Sequence, residues 1–136
     1  MNGLTAKQLQ KYANKTIPQL IKLATRHFNA YIRKRDSENG YFTCISCQKS
    51  KEIGMMHAGH YLSAGHNASL RFSEDNVHGQ CVACNTHLHG NLIRYRENLV
   101  KKIGGEKVDI LENISRATHK WDKIGLIWVI ETYKNK

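Results

Sequence analysis

Residues 55–91 read MMHAGHYLSAGHNASLRFSEDNVHGQCVACNTHLHGN and hold six of the chain's eight histidines. The pattern predicts a strand over 55–62, a loop at Ala64-Gly65-His66-Asn67, and a second strand over 77–80. A helix follows from Asn85, with Leu88, Leu92, Tyr95, Leu99 and Ile103 as its apolar stripe and Gly104 as its stop. On that helix Asn85 and His89 lie four residues apart and so share a face. His60 closes the first strand, and Asn76 follows it by sixteen residues.

Working outward, this stretch contains Cys81-Val-Ala-Cys84, and Cys44-Ile-Ser-Cys47 precedes it by 33 residues. A two-residue spacer lets both sulfurs of a pair turn towards one point. Two such pairs are therefore a common way to hold one tetrahedral Zn²⁺. Redox dithiols are the alternative, but neither pair sits in a thioredoxin-like βαβ pattern. The reading is a structural zinc on Cys44, Cys47, Cys81 and Cys84.

Farther out the chain reads as helical. Thr16-Ile17-Pro18 has the form of an N-cap with an early-turn proline. Ile17, Leu20, Ile21, Ala24, Phe28, Tyr31 and Ile32 then recur at helical spacing up to Arg35. Residues 4–14 carry a weaker helical stripe. Asp36 to Tyr41 reads as a turn and Tyr41 to Cys44 as a short strand. A short helix over Val108 to Ile114 and a last one from about Thr118 to Lys134 complete the chain. In that last helix Trp121, Ile124, Ile127 and Trp128 are expected inward. The fold class is thus α+β, a single domain over 1–136. It divides into a basic helical segment 1–35, a zinc-knuckle core 41–103 and a C-terminal helical segment 104–136.

Composition limits what such a chain does. Its 136 residues suffice for one core but not for a separate cofactor domain. No apolar run approaches the length that spans a bilayer, and the N-terminus has no apolar stretch of the kind a secretory signal needs. A cytoplasmic protein without a membrane partner is expected. Lys and Arg total 21 against 11 acids, a net charge of +10. Residues 1–35 hold eight of those bases and no acid. A cationic segment of this kind either forms a solvated helix face or meets a polyanion, and nucleic acid is the expected partner. Lys7, Lys11, Lys15, Arg26 and Arg33 are the candidate phosphate contacts there. Arg71, Arg94 and Arg96 are the candidate clamps within the core.

Strand, loop, strand and helix, with a His, an Asn and a metal-ligand pair, resemble the HNH or ββα-metal nucleases. Within 76–85, NVHGQCVACN is similar to that family's Asn-led Cys-x-x-Cys stretch, most closely in its phage recombination endonuclease VII branch. A more extensive resemblance joins FNAYIRKRD at 28–36, CISC at 44–47, AGHY at 58–61, LRFSEDNVHGQCVACNTHLHGN at 70–91 and the closing IxETY. Together they resemble the lambdoid phage NinG (Rap) family. That resemblance implies a metal-dependent, structure-specific DNA endonuclease acting on Holliday junctions and D-loops during recombination, alongside phage or host recombination proteins.

The roles it implies are chemically consistent. His60 suits a general base, since neutral imidazole accepts a proton near pH 7. Asn76 matches the Asn that orients loop and histidine. Asn85 offers an amide oxygen to a catalytic Mg²⁺ or Mn²⁺, with His57 and His89 as further ligands. Many relatives carry an acid just before the catalytic His, where this chain has Gly59. The lambdoid family tends to carry Asp where this chain has His57. Imidazole ligands favour Mn²⁺, Ni²⁺ or Zn²⁺ over Mg²⁺. His66, His78 and His87 fit solvated or packing roles. Two opposed cuts need two sites, so a homodimer is expected. The competing readings are a non-catalytic zinc-knuckle module that binds nucleic acid, and a sequence-reading HNH restriction or homing nuclease.

Overall fold

A computed structural model of the chain describes residues 3–115, 117 and 119–136. The fold is mixed α+β, with two small antiparallel sheets and five α-helices among the described residues. The chain divides into two compact units, Met1–Tyr31 with Lys120–Lys136, and Ile32–His119.

The first unit is helical. Helix α1 (Ala6–Lys11) starts in a capping box in which Thr5 and Gln8 satisfy each other's backbone N–H groups. Helix α2 (Ile17–Arg35) begins and ends where the sequence predicts, and its portion up to Tyr31 belongs here. It buries Leu20, Ala24 and Phe28, one face at helical spacing. Helix α5 (Lys123–Tyr133) is shorter than expected, and Thr118, the expected start, lies outside the described residues. The inward face of α5 is as expected at Ile127 and different elsewhere. Ile124 is 58% exposed, while Leu126, Ile127, Val129, Ile130 and Tyr133 are buried. A helix apolar on nearly every side leaves the choice of buried face to its neighbours, and periodicity cannot make it. Here the Tyr133 ring meets Phe28 edge-on at 4.9 Å, and the Tyr12 hydroxyl donates to Glu131 at 2.8 Å.

The second unit holds both sheets. The segment expected as a plain turn is a hairpin. Strand β1 (Ser37–Glu38) pairs with β2 (Tyr41–Thr43) across Asn39-Gly40, whose φ values are +54° and +82°. Two positive φ values in a two-residue loop suit Asn-Gly. Strand β3 (Ser50–Glu52), which no sequence signal marks, pairs with β2 and closes the first cysteine pair into a loop. Strands β4 (Met56–His60) and β5 (Val77–Cys81) form a separate antiparallel ribbon in the register Met56↔Cys81 to His60↔Val77.

The long helix expected from Asn85 to Ile103 is broken. Residues Ala83–His87 form a wide π-helical turn, and α3 starts afresh over Leu92–Ile103. Between them His89, Gly90 and Asn91 all have positive φ, which no α-helix tolerates. Leu88 and Leu92, expected in the stripe, are therefore exposed, whereas Tyr95 and Leu99 are fully buried. Helix α4 (Gly105–Ile114) follows directly. Ile45, Tyr61, Leu70, Tyr95, Leu99, Val108 and Leu111 make one core cluster, and Phe42 and Met56 pack with the cysteines in another.

Candidate functional site

The two ends of the β4–β5 ribbon carry the two sets of chemistry. At the Met56–Cys81 end, the Sγ atoms of Cys44, Cys47, Cys81 and Cys84 lie within 4.8 Å of one another. Cys44, Cys81 and Cys84 are buried, and none of the four is in a disulfide. The backbone N–H groups of Cys81 and Cys47 reach Cys44 Sγ at 3.3 and 3.5 Å, and that of Cys84 reaches Cys81 Sγ at 3.5 Å. Burial pushes the thiols of Cys44, Cys81 and Cys84 up, so ionising them there requires a compensating cation. Four converging sulfurs with N–H donors aimed at them match the donor set of a structural zinc. The sequence-predicted ligands come together.

At the other end, a cleft of about 790 Å³ is lined by His60, Asn85 and His89, with Ala58, His66 and Asn67 among its walls. His60 Nε2 lies 2.9 Å from the carbonyl oxygen of Arg71. A carbonyl only accepts, so Nε2 carries the hydrogen and Nδ1 holds the lone pair. Burial lowers the His60 pKa, and the hydrogen bond to Arg71 only partly offsets this. The imidazole is neutral at physiological pH.

Asn76 holds this end of the ribbon. It is fully buried; its Nδ2 donates to the carbonyls of Leu62 and Leu70 at 2.9 and 3.2 Å, and its Oδ1 accepts from the Leu62 N–H at 2.9 Å. Its backbone carbonyl accepts from the Tyr61 N–H at 2.9 Å, which extends the pairing one residue past His60. The side chain thus closes the loop 61–76 on itself.

Asn85 and His89 do share the cleft, although not by sharing a helix. Asn85 sits on the π-helical turn, and His89 reaches the wall through its left-handed backbone at φ +51°. His57 is not among the cleft's lining residues. It is one residue out of phase with Ala58 and His60, which line it, and successive side chains of a strand face opposite ways. His57 Nδ1 instead meets Asn85 Nδ2 at 2.9 Å. The remaining candidates are dispersed. Lys7, Lys11, Lys15, Arg26 and Arg33 are exposed. Arg94 donates to the Cys47 carbonyl at 3.4 Å, and Arg96 is committed to Glu112 at 2.8 Å.

Several supporting residues carry no sequence signal of their role. Tyr95, legible only as part of an apolar stripe, donates its hydroxyl to the Gly59 carbonyl at 2.7 Å. Tyr61 donates to Glu112 at 2.6 Å, and burial with that bond pushes its phenol up to about 12. Gln80 Nε2 donates to Gly90 O at 2.6 Å and Ser46 Oγ at 2.9 Å, tying the first cysteine loop to the turn that bears His89. Gln80 also explains Gly59, since a Cβ there would lie 2.1 Å from Gln80 Oε1 and 2.8 Å from Gln80 Cβ. No side chain has room at position 59 unless Gln80 moves. Asp36, expected in a turn, keeps its side chain almost wholly out of solvent. Desolvation would raise its carboxyl, but Arg35, the Gly79 N–H and Lys102 hold it down to about 2. His78 is buried beside it, donating to the Asp75 carbonyl at 2.8 Å and meeting Arg35 at 3.1 Å, and burial lowers it to about 4.

A family model described as Bacteriophage Lambda NinG protein matches residues 3–136. The protein ninG of Escherichia phage lambda is 40% identical over 114 residues, 84% of this chain and 53% of that protein. The ninG proteins of Enterobacteria phage H19B and Salmonella phage P22 are each 40% identical over 114 residues and 54% of their own lengths. The chain therefore spans about half the length of the curated relatives it matches. No solved structure matches it.

Proposed function

The chain belongs to the NinG family, and from that premise we propose that it is a metal-dependent endonuclease of branched DNA, with a ββα-metal core. Its substrates in this reading are recombination intermediates such as Holliday junctions and D-loops, met as a homodimer in the cytoplasm of a phage's host. The observation that carries the reading is the cleft whose wall includes His60, Asn85 and His89, with the Nδ1 lone pair of His60 defined by the Arg71 carbonyl. A zinc-binding module that merely holds nucleic acid needs the cysteines but has no use for a buried neutral imidazole at the far end of the ribbon.

In phosphodiester hydrolysis His60 Nδ1 takes the proton of the attacking water, leaving the imidazolium charge spread over the ring and its Arg71 contact. Asn76 keeps the loop closed, so the Arg71 carbonyl and the imidazole stay in register. Asn85 and His89 would hold the divalent ion, with His57 behind Asn85. Such an ion, when bound, neutralises charge on the phosphate and the leaving oxygen. Among the described residues the cleft lining contains no carboxylate. An imidazole and amide donor set suits Mn²⁺ or Ni²⁺ better than Mg²⁺.

The test is cleavage of a labelled four-way junction and of a linear duplex of the same sequence, each with Mg²⁺, Mn²⁺ and Ni²⁺. Metal-dependent nicking near the branch is expected, strongest with Mn²⁺ or Ni²⁺. Binding without cleavage under every ion would favour the non-catalytic module. Cutting of linear DNA at one sequence would favour a restriction-type nuclease.

A further inference from the structure

Beside the cleft three apolar residues stand in solvent: Leu88 is 56% exposed, Leu92 46% and Ile93 80%. They flank a tight turn closed by the Asn91 N–H, which donates to the Leu88 carbonyl at 2.8 Å. Within that turn His89, Gly90 and Asn91 have φ of +51°, +95° and +43°. His and Asn adopt such conformations in succession only where the surroundings impose them. The constraint is identifiable. Gln80 holds the Gly90 carbonyl at 2.6 Å, and the Gly90 N–H donates to the Cys84 carbonyl at 2.8 Å. Had the helix run on from Asn85, Leu88 and Leu92 would have shared the buried face of Tyr95 and Leu99. A strained, internally bonded turn thus lifts apolar side chains out of the core and leaves them in solvent, with Leu92 at the cleft's wall.

The surroundings point to what covers them. Among the described residues no carboxylate lines the neighbouring cleft, and the chain carries a net charge of +10. Leu92 itself lines the cleft with His60, Asn85 and His89. An apolar patch joined through Leu92 to a carboxylate-free cleft, read above as a site for phosphodiesters, matches the face of a base whose phosphates lie nearby.

We propose that Leu88 and Ile93, with Leu92 at the cleft's edge, form an apolar wedge that enters the base stack of DNA at a branch point. Leu and Ile side chains inserted between base steps unstack them, and the cost is least where stacking is already interrupted. Base faces carry little sequence information, so the wedge selects structure and not sequence. This inference rests on the endonuclease reading.

The experiment places 2-aminopurine at the branch of a four-way junction and titrates it with His60→Ala protein, which binds without cutting. A severalfold rise in fluorescence is expected on binding, and little rise for a linear duplex of the same sequence. The Leu88→Gln, Ile93→Gln double variant in the same background should still bind the junction but lose most of the rise. Zinc content and circular dichroism confirm its fold. An undiminished rise in that variant overturns the wedge. So does an unchanged rise together with a shift from dimer to monomer in sedimentation, which would make the patch an interface between copies. If the native chain cuts junctions yet gives no rise with the His60→Ala protein, the wedge alone fails. If it binds no DNA at all, the endonuclease reading fails with it.

Discussion

At the Met56–Cys81 end of the ribbon the ligand atoms are sulfurs, three of the four cysteines are buried, and backbone N–H groups point at them. The His60 end, which a sixteen-residue loop joins to the start of β5, faces an open cleft lined by imidazoles and amides. One end is organised to hold a charge permanently out of water, the other to exchange groups with it. The two asparagines cut across this contrast. Asn76, at the His60 end, spends its whole amide on three backbone groups, while Asn85, one residue past Cys84, is half-exposed with one contact to His57. The sulfurs are closed off and the cleft is open, and two five-residue strands join them.

The largest effect that could break this division is at the sulfur end. Cys81→Ser should abolish zinc binding and unfold Ile32–His119, because a structural zinc supplies about 10–16 kcal/mol in small domains, comparable with a whole domain's stability. Metal analysis and thermal melting check it. A folded, zinc-free variant would mean that the sulfur end holds nothing together.

At the reactive end His60→Ala should lower cleavage by about 10²–10⁴-fold while hardly moving the melting temperature, as expected of a general base. Asn76→Ala should do the reverse in emphasis, costing about 3 kcal/mol from its three lost buried hydrogen bonds. A parallel pH profile sharpens the contrast. His60 titrates below the ordinary 6.5 because it is buried, so the active neutral form persists above that pH and the rate falls only in more acid solution. Equal losses of rate and stability in both variants would erase the distinction.

The smallest effect lies mid-ribbon. Tyr95→Phe leaves the Gly59 carbonyl without its partner and should cost about 1–2 kcal/mol, read as a lower urea midpoint. No change would show that β4 needs no bracing beside His60.

How much of this the sequence discloses depends on the range of the interaction. The cysteine pairs and the limits of α2 are legible because spacing and caps are local, whereas His60 and Asn76 stand out only through the family resemblance. The break at residues 88–91 is not, because Leu88 and Leu92 keep a perfect helical period. What overrides it is Gln80, a strand residue that bonds Gly90. Asp36 reads as a turn residue, yet its side chain is kept from solvent by partners far along the chain, Gly79 and Lys102. Likewise Arg96 looks available for phosphate until Glu112, on another helix, is seen to occupy it. Pairings between distant segments leave no periodic trace.

The ribbon's register has a consequence for how such a chain tolerates change over generations. Side chains alternate along β4, so adding or removing one residue between Met56 and His60 turns the imidazole to the opposite face while the cysteines stay in place. Lengths within 56–60 and 77–81 are therefore frozen by arithmetic. The stretch 62–75, tied off at its base by Asn76, is free to lengthen or shorten as long as the Arg71 carbonyl still reaches back to His60. Variation among descendants should collect in that loop as insertions and deletions, and in the two strands only as exchanges of one residue for another.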